Sequence, residues 1–153
     1  MVLSKRLAYR AAHRGLRAWW FVRRPHTRGV KCIVRDGERV LFVRHTYGDR
    51  AAWELPGGSL RADERPEAAV RREMREELGV DLGVVREVGR VDVSGNHKRT
   101  TLYCFEAELG GAPVRLDPGE LAEGRWAALD APPQPLGADA ATLLRLVGAP
   151  RRA

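Results

Sequence analysis

The chain has 153 residues, enough for one domain that buries roughly 70% of its unfolded surface and too few for two. With 44% hydrophobic and 31% charged residues, and no run near the roughly 20 apolar residues of a membrane span, the composition argues against disorder and against an integral membrane protein. The net charge of +7 suggests a polyanion partner, yet residues 1–35 hold ten Lys/Arg and no acid, and the other 118 carry a net −3.

Residues 1–24 lack proline and space Leu3, Leu7, Ala11, Leu16, Trp19 and Trp20 near a helical period, which predicts a basic amphipathic helix. Three roles are open to it: packing on the domain, lying on a membrane surface with Trp19, Trp20 and Phe21 at the interface, or binding a polyanion such as RNA. An Arg-rich, acid-free start is also what a mitochondrial transit segment shows, and no long apolar stretch marks it for secretion. Most basic residues are Arg (24 of 27), which reads as compositional bias and weakens the case that each was placed for a partner.

Pro25 closes this segment, and residues 25–153 are expected to form the domain. Gly29–Arg35 and Arg39–Arg44 read as a hairpin turning at Asp36-Gly37. A polar connection, 45–52, leads to a short extended piece, Trp53–Gly58, broken by Pro-Gly-Gly, and 59–65 reads as loop. Pro66 suits a helix start, Val70, Met74 and Leu78 repeat every four residues, and Gly79 suits a left-handed cap, so a helix is predicted over 66–78. Leu82–Val93 and Thr100–Leu109 read as strands around Ser94-Gly95-Asn96. Gly124–Leu129 reads as a last strand, Pro132–Pro135 as a linker and Ala138–Val147 as a closing helix. Strands flanking one central helix imply an α/β or α+β class with a mixed sheet. Cys32 and Cys104 have no disulfide or zinc spacing and read as buried free thiols in a reducing, cytoplasmic setting.

On the 66–78 helix Glu73, Glu76 and Glu77 stand at i, i+3 and i+4, so three carboxylates share one face. They repel one another unless a positive charge sits among them. The Val70, Met74, Leu78 stripe is about 100° away, so one side of the helix meets the core and the next lines a cleft, with Arg71 and Arg75 left to water. Three oxygen donors suit Mg²⁺, or Mn²⁺, better than zinc. A hard cation among carboxylates calls for a substrate that also offers oxygens, such as a diphosphate, and its hydrolysis needs an activated water and a carboxylate to take the proton. A Glu-x-x-Glu-Glu run by itself is ordinarily a solvated face.

The full spacing decides between the two. Gly58, Glu64, Arg72-Glu73-Met74-Arg75-Glu76-Glu77-Leu78-Gly79-Val80 resembles the signature box of the Nudix hydrolases at all nine specified positions, with chance odds of about 10⁻⁶ in a chain of this composition. The resemblance extends over residues 28–130 and leaves the basic start outside it. It implies a Nudix-type α/β/α sandwich around a mixed β-sheet. It also implies Mg²⁺ held by Glu73, Glu76, Glu77 and the Gly57 carbonyl, with Arg72 holding the carboxylates and paired with Glu64. The general base is implied to be Glu73 or a carboxylate outside the box, Glu120 or Glu123. The activity implied is cleavage of the diphosphate linkage of a nucleoside diphosphate derivative; the alternative is a nucleotide-sensing module without turnover, which commonly loses the glutamates retained here. Trp53, Tyr47, Tyr103, His97, Arg44 and His45 are the candidate substrate contacts, by stacking on a base or meeting a phosphate. The 94–98 stretch carries no mark of a substrate subgroup. Expected partners are the nucleotide, a membrane surface or polyanion for residues 1–24, and a second copy in a homodimer.

Overall fold

The computed structural model describes residues 2–23, 26–95 and 97–148. Pro25, where the domain was expected to begin, and Asn96 in the predicted turn lie outside that set, as do the side chains of Leu3, Trp20 and Phe21. The elements are α1 (Val2–Arg23), β1 (His26–Asp36), β2 (Arg39–His45), α2 (Pro66–Leu78), β3 (Val85–Gly95), β4 (Lys98–Glu108), β5 (Leu121–Ala128) and α3 (Ala138–Gly148).

The five strands form one mixed sheet in the order β3-β4-β1-β2-β5. β1 runs parallel to β4, and the other neighbours are antiparallel. Gly37 takes φ 63° at the first position of the two-residue β1–β2 loop, a backbone that favours glycine. Alternation along the central strands divides the core between the two faces. Val30, Cys32, Val34, Leu41 and Val43 point toward α2 and meet Val70, Met74 and Leu78. Ile33, Val40 and Phe42 point to the other face and meet Ala140 and Leu143 of α3. The result is the helix-sheet-helix sandwich expected, with Cys32 and Cys104 free and buried inside it.

β1 and β2 pair only beside their turn, at Arg35↔Val40 and Asp36↔Arg39. Beyond it they part, and residues 54–60 fill the gap with their own backbone. Glu54 exchanges both hydrogen bonds with Val43 (2.8 and 2.9 Å), Cys32 N–H donates to the Pro56 carbonyl (2.9 Å) and Val30 N–H to that of Gly58 (2.8 Å). The extended piece 53–58 is thus an inserted rung of the sheet, which satisfies donors that the splayed strands would leave bare. All strands but β2 start away from expectation: β1, β4 and β5 begin earlier, at His26, Lys98 and Leu121, and β3 later, at Val85. Leu82 is buried in the core ahead of β3, and β5 begins at Leu121, whose burial fixes the register against His45. Among the described residues no helix is long and apolar enough to cross a membrane.

Candidate active site

α2 starts at Pro66 and ends at Gly79, whose φ of 65° and N–H bond to the Arg75 carbonyl (3.1 Å) terminate the helix. Its buried face carries two carboxylates beside the apolar stripe: Glu73 is 7% exposed and Glu77 only 1%. Arg72 organises this acid. Its guanidinium grips Glu64 with two bonds of 2.9 Å, reaches Glu73 at 2.6 Å and Glu76 at 3.2 Å, and donates to the Ser59 carbonyl at 3.0 Å. The Arg72 bond, reinforced by the Arg61 N–H, holds the Glu64 carboxyl down to about 2. Glu77 accepts the Gly57 N–H at 2.9 Å. Burial pushes its carboxyl up to about 8, and burial also raises Glu73. Gly58 presses on the same cluster, for a Cβ there would stand 2.6 Å from the Glu73 carboxyl carbon. Arg71 is drawn in rather than left to water: it donates to the Leu82 carbonyl at 2.6 Å and pairs with Glu67. Arg75, paired with Asp81, stays at the surface.

A cleft of about 610 Å³ opens beside the carboxylates, at the end of the sheet where β1 and β4 begin and β2 and β3 finish. Gly57 and Gly58 form its boundary with the acidic cluster, and Lys31, His45, Tyr47 and Lys98 line it. Lys31 is buried, donating to the Leu55 carbonyl at 3.0 Å and lying 3.9 Å from Glu54. Burial keeps His45 neutral, its pKa lowered to about 3. Tyr47 is pushed up by burial and by the charges of Glu77, Glu120 and Glu73, which places Glu120 in the electrostatic neighbourhood of the two buried glutamates.

The NUDIX domain profile matches residues 25–147. The chain belongs to the Nudix hydrolase family. A MutT-like protein of Streptomyces ambofaciens is 41% identical over 69 residues, 45% of this chain and 40% of that one. An RNA pyrophosphohydrolase of Gluconacetobacter diazotrophicus is 29% identical over 136 residues, covering 72% of this chain and 81% of the relative. The crystal structure of a MutT NUDIX hydrolase from Burkholderia pseudomallei superposes with a TM-score of 0.74 and 28% identity, over 80% of this chain and 98% of that one.

Within the Nudix frame the candidate residues separate. Tyr47 and His45 line the cleft. Trp53, offered as a stacking surface, is 2% exposed and belongs to the α3-side core, with the guanidiniums of Arg44 and Arg125 4.8 and 4.9 Å from its ring centre. Alternation along the inserted rung turns its ring inward. Arg44 pairs with Glu123 across the β2–β5 ladder, so both have a structural partner. Tyr103 packs against the α2-side core with Arg28 over its ring. His97 sits at the β3–β4 turn with φ 63°, beside a separate shallow recess. Sequence reasoning missed Lys31 and Lys98. A lysine amid the apolar run Val30–Val34 was the available signal, since a buried ammonium needs a partner.

Proposed function

We propose that the chain is a Mg²⁺-dependent pyrophosphohydrolase that cleaves the diphosphate linkage of a nucleotide or nucleoside diphosphate derivative. The observation that carries this is the pair Glu73 and Glu77, buried beside a polar cleft, with burial raising both carboxyls. Such a pair is costly unless a cation joins it. The donor set, carboxylate oxygens with a backbone carbonyl, fits a hard divalent ion. Among the described residues no three acid, His or Cys side chains yet converge on one point, because Arg72 occupies Glu73 and Glu76. Glu73, Glu76, Glu77 and the Gly57 carbonyl would hold the ion, with Arg72 anchored by its two bonds to Glu64.

The bound ion supplies charge neutralisation on the phosphate oxygens and a lowered pKa for the attacking water. The protein does the rest. Lys31 and Lys98 line the cleft for phosphate oxygens, and Tyr47, in a cluster with the rings of Tyr9, His13 and His45, forms an aromatic wall for the base. Glu120 takes the proton as water adds to one phosphorus and the bridging P–O bond breaks, giving two phosphate products. The relative named RNA pyrophosphohydrolase adds 5′-triphosphate RNA to the substrates worth assaying. The test is a Mg²⁺-containing screen of nucleoside triphosphates, nucleotide sugars, ADP-ribose, dinucleoside polyphosphates and 5′-triphosphate or capped RNA, run on the parent and Glu77→Gln. The variant is expected to lose at least ~100-fold in kcat/KM on the substrate that turns over. Equal turnover by both would refute the assignment.

A further inference from the structure

α1 lies outside the Nudix profile, which begins at residue 25, yet it packs over the cleft. Contacts among the described residues hold it there. The Tyr9 hydroxyl donates to Glu120 Oε1 at 2.6 Å, and the Arg10 Nε–H donates to the Thr46 carbonyl at 3.3 Å. The Tyr9 and Tyr47 rings stack with centres 5.9 Å apart and planes 23° from parallel, and the His13 ring lies 5.6 Å from the same Tyr47. Tyr9, His13, Leu16 and Arg17 all line the cleft, successive turns of one helix face. The helix contains no acid, so the charge of Arg17 is not cancelled within it. Trp19 and Leu7 point elsewhere and stay half exposed.

We propose that α1 is the roof of the substrate cleft, with Tyr9 as the positioning residue of Glu120 and Arg17 as a contact for the phosphates of the bound nucleotide. This rests on the pyrophosphohydrolase reading. The hydroxyl bond fixes one oxygen of Glu120 and so sets the direction in which the other can accept a proton. The Tyr9–Tyr47 stack ties that bond to the wall on which a base would lie. Arg17, one turn beyond His13, brings to the roof the positive charge that Lys31 and Lys98 bring to the floor.

The experiment compares full-length Tyr9→Phe, Arg17→Ala, Arg17→Lys and Trp19→Ala with the parent, on whichever substrate shows Glu77-dependent turnover. Tyr9→Phe keeps the ring stack and is expected to lower kcat about 5- to 20-fold with KM within twofold, as befits one lost bond to a charged group. In a Glu120→Gln background the same change should have no further effect. Arg17→Ala should raise KM about 5-fold at unchanged kcat, Arg17→Lys should recover most of it, and Trp19→Ala should match the parent. Calorimetry with a methylene-bridged nucleoside diphosphate analogue and Mg²⁺ should show the same 5-fold weakening for Arg17→Ala. Undiminished kcat in Tyr9→Phe, an effect that persists in Glu120→Gln, or a loss in Trp19→Ala as large as in Tyr9→Phe overturns the proposal. A rise in kcat/KM on changing Tyr9 also overturns it, by showing that the helix obstructs the cleft. A parent without Glu77-dependent turnover refutes the reaction reading and the Tyr9–Glu120 step with it, while calorimetry still decides the role of Arg17.

Discussion

Glu77→Gln is expected to stabilise the metal-free protein while abolishing its response to Mg²⁺. Glu77 is 1% exposed and its carboxyl is pushed from 4.5 up to about 8, chiefly by burial. Because the folded value lies above the unfolded one, the folded state holds a proton that the unfolded chain releases, and the parent loses stability as pH rises from 4.5 toward 8. At pH 7 that shift corresponds to roughly 3 kcal/mol. Gln keeps an acceptor for the Gly57 N–H but brings a buried NH2 with two donors where the protonated carboxyl has one, so the net gain should be about 2 kcal/mol. For a chain of this length that raises Tm by roughly 4–8 °C. The assay is thermal unfolding in EDTA from pH 5 to 8, repeated with Mg²⁺. The difference should be small at pH 5 and grow to pH 8. Mg²⁺ should raise the Tm of the parent, most at high pH where the carboxyl ionises readily, and leave the variant unmoved. A variant that melts at or below the parent at every pH, or that gains as much from Mg²⁺, would refute the reasoning.

Two further outcomes follow from the glycines of the box. Gly58→Ala puts a Cβ 2.6 Å from the Glu73 carboxyl, so kcat/KM should fall ~100-fold or more with Tm within a few degrees of the parent, as steady-state kinetics beside a melting curve would show. Gly79→Ala imposes a side chain at φ 65°, where none of the other box residues is touched, and should cost about 1 kcal/mol in a denaturant titration with activity unchanged.

Local structure was legible because its causes are local. Pro66, the four-residue stripe and Gly79 bracket α2 at the residues observed, and Asp36-Gly37 marks the hairpin. The Arg72–Glu64 pairing was implied by the family resemblance, and the two side chains do meet, through two bonds of 2.9 Å. Trp53 lies in the α3-side core, a placement the sequence leaves open because an aromatic in a short extended piece reads the same whether it faces a cleft or the core. Only the inserted rung between β1 and β2 settles which face it takes. Arg44 and Glu123 are 79 residues apart and become partners solely through the β2–β5 register.

The charge excess of the first 35 residues shows the division most clearly. Composition located it, and periodicity made residues 2–23 a helix, since both depend on near neighbours along the chain. Neither told where that helix would lie, because Tyr9 and Glu120 are 111 residues apart and their bond exists only once β5 has brought Glu120 beside the carboxylates of α2. The sequence by itself determined the acidic box, through spacing on one helix. The tertiary structure decided how deeply Glu77 is buried, which aromatics reach the cleft and that the basic helix covers it, because burial and contact across the sheet depend on strand pairing between distant segments.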